Sequence, residues 1–137
     1  MTQEDKDLLF HDLSARLPYR VIVKYKSREK EGNIKITCGN IGYITELGNG
    51  WWKECKPYLR PMSSMTEEEK KDILQSLNIH GDIDNEGNLL LGVGCDIITL
   101  KVCKKYLGEL NKRMFDVCHM IEKGLALEAP EGMYNKH

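Results

Sequence analysis

No apolar stretch in this 137-residue chain approaches the ~18 residues of a membrane-spanning helix, so none is expected. An excess of one charge is missing too. Twenty Lys/Arg against 21 Asp/Glu leave a net charge of −1, which argues against a dedicated, strongly basic nucleic-acid binder. The opening residues, Met1-Thr2-Gln3-Glu4-Asp5-Lys6, have neither a basic n-region nor an apolar h-region, so no secretory leader is expected and the expected location is cytoplasmic.

Pairs of metal-binding residues are also lacking. The cysteines, Cys38, Cys55, Cys95, Cys103 and Cys118, are odd in number and show no C-x-x-C spacing, so they read as reduced thiols, mostly small core residues. Cys118-His119 are neighbours in sequence, which does not place a thiol and an imidazole in catalytic geometry. His11, His80, His119 and His137 are scattered without an H-x-x-x-H pair. No metal site and no cofactor are expected. No nucleophile elbow, Walker loop or kinase signature occurs, and the expectation is a protein that is not an enzyme.

What is present is a globular composition, 41% hydrophobic and 30% charged, at a single-domain length. Leu8, Leu9, Leu13 and Leu17 at helical spacing predict a helix over residues 4 to 16, capped by Thr2 and stopped by Pro18. Residues 19 to 28 alternate, with Val21, Val23 and Tyr25 on one face and Arg20, Lys24, Lys26 and Arg28 on the other. Turns at Glu31-Gly32-Asn33, Gly39-Asn40 and Gly48-Asn49-Gly50 divide the following residues into short strands, including 41 to 47 and one from Trp51 to near Pro57. These strands form a small antiparallel meander, with curling into a barrel as a variant.

Thr66 followed by Glu69 is a capping box and opens a helix over 66 to 77. A hairpin is predicted around Asp84-Asn85-Glu86-Gly87, then a helix over 98 to 113 whose stripe is Val102, Cys103, Tyr106, Leu107 and Leu110. A last short helix runs from Phe115 to Lys123 and ends at Gly124. The expected fold is one compact α+β domain over 1–137. It comprises a helix and basic sheet in 1–62, an acidic helical half with a hairpin in 63–130, and a frayed tail in 131–137. Residues 19 to 62 carry a charge of +5 and residues 63 to 137 carry −4.

Four motifs bear on function. Asp82-Ile83-Asp84-Asn85-Glu86-Gly87 copies the start of a calcium loop, but Val93 stands where its bidentate Glu belongs, so a solvated turn is expected. Gly92-Val93-Gly94 has Ile97 in place of the third glycine of a dinucleotide fingerprint, which makes a phosphate cradle a poor match. Arg20, Lys24, Lys26, Arg28 and Lys35 form a candidate nucleic-acid face, because cations at a two-residue step on a sheet can track phosphates. The bland alternative is a solvated face whose charge deters edge pairing. Trp51-Trp52 is a candidate protein contact, since adjacent residues of an extended chain point to opposite sides and one indole is expected outward.

Two longer segments carry a resemblance. Lys56-Pro57-Tyr58-Leu59-Arg60-Pro61-Met62-Ser63-Ser64-Met65-Thr66-Glu67-Glu68-Glu69 is one. The other is Phe115-Asp116 followed by Ile121 and the run from Gly124 to Asn135; Asp12 to Tyr19 also fits the pattern. Together they resemble a family of small proteins of phages, prophages and mobile elements of gut Bacteroides that has no assigned activity. Relatives often carry a His-His pair before Phe-Asp and Tyr-Arg-Gly after it. Here those positions hold Arg113 and Met114, then Val117, Cys118 and His119, so a metal or acid–base role for that pair cannot operate in this chain. The resemblance implies a structural docking role for 115 to 128, with Phe115, Ile121, Leu125 and Leu127 buried. The expected function is a phage or mobile-element accessory protein that binds an unidentified protein partner, with nucleic acid as the alternative partner and no membrane.

Overall fold

The computed structural model describes residues 2–37, 52–91 and 99–134, without the side chains of Trp52 and Leu91. Its elements run α1 (Gln3–Arg16), β1 (Ile22–Ser27), β2 (Glu31–Lys35), β3 (Trp52–Leu59), α2 (Glu67–Leu77), β4 (Gly81–Ile83), β5 (Leu89–Leu91), α3 (Leu100–Lys112) and β6 (Leu127–Glu128). Short 3-10 turns occupy Leu17–Tyr19 and Met62–Ser64. The class is α+β, as expected. The chain divides into two compact units, residues 1–59 with 118–137, and residues 60–117.

The first unit is built on a four-stranded sheet in the order β2-β1-β3-β6. β1 pairs antiparallel with both β2 and β3, and β6 joins β3 in parallel. Among the described residues the sheet is open, not a closed barrel, and β3 lies beside β1 where a meander would place it after β2. The predicted strand over 41 to 47 falls outside the described residues. The turn expected at Glu31-Gly32-Asn33 lies earlier, at residues 28–30, because Ser27 closes it. The Ser27 amide donates to the Lys30 carbonyl at 2.8 Å, and the Lys30 amide donates to Ser27 Oγ at 3.1 Å. β3 does not stop at Pro57 but continues through it to Leu59. β6 pairs only with Tyr58 and Leu59, so no ladder bond to β6 is asked of the proline.

α1 starts where the sequence indicates. Thr2 and Asp5 form a reciprocal capping box, and the helix gives way to the 3-10 turn containing Pro18. Leu9 and Leu13 are buried, as are Val21 and Val23 of the sheet region, Cys55, Leu59, Met120 and Leu125. Inside this apolar set lies a bidentate ion pair, with Arg16 Nε 2.8 Å and Nη2 3.1 Å from the Asp12 carboxylate.

The chain's last described residue is held in place. Tyr134 Oη accepts from the Ile22 amide at 2.9 Å and donates to the Tyr58 carbonyl at 2.7 Å. The β1–β3 ladder ends at Val23–Pro57, and the tyrosine hydroxyl bridges the next pair in place of a direct backbone bond. Burial pushes this phenol up to about 12, so it stays protonated and able to donate. Tyr134 is therefore anchored, where a frayed tail over 131–137 was expected; residues 135–137 lie outside the described set.

The second unit packs α2, α3 and the β4–β5 hairpin around Met65, Ile73, Leu77, Ile83, Leu110 and Phe115. Thr66 and Glu69 form the predicted capping box. The hairpin turn is organised by Asp84, whose Oδ1 accepts from the amides of Glu86 at 2.9 Å and Asn88 at 2.8 Å. Gly87 is needed there twice over. Its φ is +89°, and an added Cβ would lie 2.9 Å from Met62 Sδ. Its carbonyl also accepts from Tyr106 Oη at 2.7 Å, which ties the turn to α3.

The helix predicted over Phe115 to Lys123 is absent. Met114 and His119 adopt left-handed backbone angles of φ 64° and 54°, which a continuous helix cannot accommodate. Phe115 instead makes an isolated parallel bridge with Arg60. Phe115 and Leu125 are buried as expected, whereas Ile121 and Leu127 are only half-buried.

Candidate functional site

The basic candidates spread over more than one surface. Arg20 is exposed in a left-handed turn (φ 58°) before β1 begins, and Arg28 is exposed in the bend after it ends. Neither continues the row of Lys24 and Lys26. Strand alternation and register place Lys24 beside Asn33 of β2 and Lys56 of β3, and Lys26 beside Glu31 and Glu54. Lys35 is opposite Ile22 on the same face. The face is therefore divided. Lys24, Lys35 and Lys56 occupy one end, and at the other Lys26 meets Glu31 at 4.0 Å. Glu54 also reaches Lys56 at 3.7 Å. Tyr58, at the Lys35 end of this face, reaches over β1, its hydroxyl 3.1 Å from Asn33 Oδ1. β1 is an internal strand, so its lysines cannot serve to deter edge pairing. Trp51 and the Trp52 side chain, the candidate protein contacts, lie outside the described residues.

Cys55, Cys103 and Cys118 are thiols outside any disulfide. Burial, with the Glu54 charge nearby, pushes the Cys55 thiol up to about 12, far from a thiolate at neutral pH. Cys118 is half-buried and His119 exposed in its left-handed conformation. Among the described residues no three His, Cys, Asp or Glu side chains gather as a metal site. In the calcium-like segment, Asp84 is occupied by its own turn. Hydrogen bonds from the Asn88 backbone and side chain hold its carboxyl below the usual range. The Gly92-Val93-Gly94 segment lies outside the described residues.

Arg60, Glu69 and Phe115 meet in the second unit. Arg60 Nη1 and Nη2 each lie 2.7 Å from the Glu69 carboxylate, and the guanidinium stacks 4.3 Å from the Phe115 ring centroid. Glu69 Oε1 also accepts from the Thr66 amide at 3.1 Å, completing the α2 cap. The Arg60 backbone donates to the Met114 carbonyl and accepts from the Asp116 amide, at 2.7 and 2.8 Å. These residues are spent on holding the unit together: every polar group named has a protein partner, and Glu69 is buried.

α3 presents a different surface. Its predicted stripe separates into two. Leu110 is buried and Val102 and Tyr106 half-buried, whereas Cys103 and Leu107 face solvent. Leu100 is 73% exposed and Leu107 48% exposed. At about 100° per residue, Leu100, Cys103 and Leu107 fall within an arc of about 60°. They make an apolar strip beside the buried one that the unit's own core leaves uncovered. The sequence signal for it was present, since these positions follow an i, i+3, i+7 pattern. Sequence periodicity could not separate it from the core stripe, because Tyr106 and Leu107 are only one residue apart.

No helix among the described residues is long and apolar enough to cross a membrane. Comparison with family models, curated proteins and solved structures yields no match.

Proposed function

We propose that this chain is a non-enzymatic accessory protein of a phage or mobile element that acts in the bacterial cytoplasm by docking another protein on the outer face of α3. The observation that carries this reading is the exposure of Leu100 and Leu107 one heptad apart on a regular helix. Large apolar side chains aligned on a solvated helix face are the usual anchors for a partner. The phage origin rests on the motif resemblance.

The test uses wild type and Leu100→Glu/Leu107→Glu as baits in extracts of a gut Bacteroides host. A captured protein is then identified, purified and rebound. Binding to wild type that is at least about tenfold weaker in the double variant supports the reading, because each lost anchor costs upward of about 1 kcal/mol. Equal binding to both baits overturns it.

A second reading has its own observation. Lys24, Lys35 and Lys56 share one end of a sheet face crossed by Tyr58, an arrangement suited to a phosphate backbone and a stacked base. Labelled oligonucleotides titrated at about 50 and 200 mM salt test it. Saturable binding that weakens steeply with salt and is lost in Lys24→Glu/Lys35→Glu supports a nucleic-acid partner. No binding at the lower salt removes that reading.

A further inference from the structure

The chemistry around the α3 strip narrows what can cover it. The exposed residues of the helix are Leu100, Lys101, Cys103, Lys104, Lys105, Leu107 and Lys112, so every exposed charge on it is positive. Lys105 is committed to α2, its ammonium 2.6 Å from the Ser76 carbonyl. The helix's one acidic residue, Glu109, is only half-exposed and already bound. Burial alone would raise its pKa, but hydrogen bonds from Arg113 and Ser76 outweigh that and hold the carboxyl below its usual range. Arg113, its ion-pair partner, is its neighbour one turn on. Lys104 projects about 40° from Leu100 around the helix and Lys101 about 100°, which places both on the flank away from the core.

Three kinds of occupant can be compared. A second copy of this chain, packed α3 on α3, would set lysine rows against each other with no exposed acidic residue of the helix to relieve them. A lipid surface would be held by two leucines and a thiol, far less apolar area than one acyl chain, which is itself only a marginal anchor. A helix of another protein meets neither objection. Leu100 and Leu107 are about 10 Å apart along the axis, one heptad, and the small Cys103 between them leaves room for a partner's large side chain.

We infer that the outer face of α3 docks an acidic amphipathic helix, with apolar residues at heptad spacing on its seam and Asp or Glu on the flank that meets Lys101 and Lys104. This inference rests on the α3 docking reading above and adds the partner's chemistry. The attraction is between partly solvated charges, so salt weakens it, while the apolar seam persists.

The experiment titrates the full chain into two labelled synthetic helical peptides with the same Leu seam, one flanked by Glu and one by Lys. Fluorescence anisotropy is read at about 50 and 200 mM salt. The expected result is saturable binding of the Glu-flanked peptide, at least about tenfold tighter than the Lys-flanked one at the lower salt. That binding falls several-fold at the higher salt. It is abolished in Leu100→Glu/Leu107→Glu, and in Lys101→Glu/Lys104→Glu the preference reverses, with the circular dichroism of both variants unchanged.

Equal binding of the two peptides, lost in the leucine variant, overturns the acidic partner while leaving the docking face in place. Failure of both peptides to bind at about 100 μM overturns the inference outright. Flotation with phosphatidylglycerol vesicles that the leucine variant loses assigns the face to lipid and overturns it. Sedimentation of the chain alone as a dimer that the same variant loses assigns the face to a second copy and does likewise.

Discussion

Each of the two units contains a bidentate arginine–carboxylate pair, and the two pairs do different work. Asp12–Arg16 joins residues one turn apart on α1, with both side chains almost wholly removed from solvent. Arg60–Glu69 joins the residue after β3 to the cap of α2, is somewhat more exposed, and adds a stack on Phe115 from the far side of its unit in sequence. The first pair is local and can form with its helix. The second cannot form until three separate segments meet. Identical chemistry thus fixes the interior of one element in the first unit and the joining of elements in the second.

The sharpest way to break this comparison is Asp12→Ala. It leaves the Arg16 charge without this carboxylate at a fully buried site, and a destabilisation of about 3–5 kcal/mol is expected in urea unfolding. Arg60→Ala comes next, with about 2–3 kcal/mol expected because its guanidinium is partly solvated and the cation–π stack is lost with it. Arg60→Lys is expected to recover less than half of that, since an ammonium cannot make the bidentate contact. Full recovery by lysine would show that charge alone, not the fork geometry, joins the segments.

Tyr134→Phe probes the other mode of joining, by a hydroxyl at the end of the β1–β3 ladder. About 1–2 kcal/mol is expected from the loss of one buried hydroxyl bridge, with hydrogen exchange of the Ile22 amide accelerated. The smallest effect is a pH dependence in the second unit. Asp84 and Glu109 both have carboxyls held below their ordinary range. Their contribution is fully present above the pKa of the unfolded chain and is lost as pH falls through the lowered folded values. The midpoint of unfolding should therefore decline below about pH 4.5, and Asp84→Asn should flatten that acid limb. An unchanged limb would mean that the turn's backbone geometry, not the carboxylate charge, stabilises the hairpin.

The parts of the molecule legible in sequence are those decided by near neighbours. Thr2 with Asp5 and Thr66 with Glu69 announce their helices because a cap needs only residues three apart. Asp84 to Gly87 announces its turn for the same reason. The pairing of β6 with β3, the Arg60–Phe115 bridge and the Tyr134 anchor join residues remote in sequence, and no local pattern marks them. Phe115 to Lys123 looked helical because its composition permits a helix, and the bridge to Arg60 overrides that preference. On the sheet, alternation correctly grouped Lys24 with Lys26. It could not show that cross-strand register would set Glu31 and Glu54 against Lys26, nor that Lys56 would join Lys24.

Tyr134 reaches back to Ile22, 112 residues earlier, and to Tyr58, 76 residues earlier. The Ala129 amide likewise donates to the Leu59 carbonyl. The first unit therefore cannot be completed until residues 127–134 have left the ribosome, whereas every segment of the second unit emerges before them. During synthesis, β3 waits with the flank that β6 will cover unpaired, for the several seconds that translation of just under seventy further residues takes at about 5–20 residues per second. A nascent chain stalled before Leu127 would expose that strand edge to whatever else is in reach, and Leu127–Glu128 act as the seal that closes it.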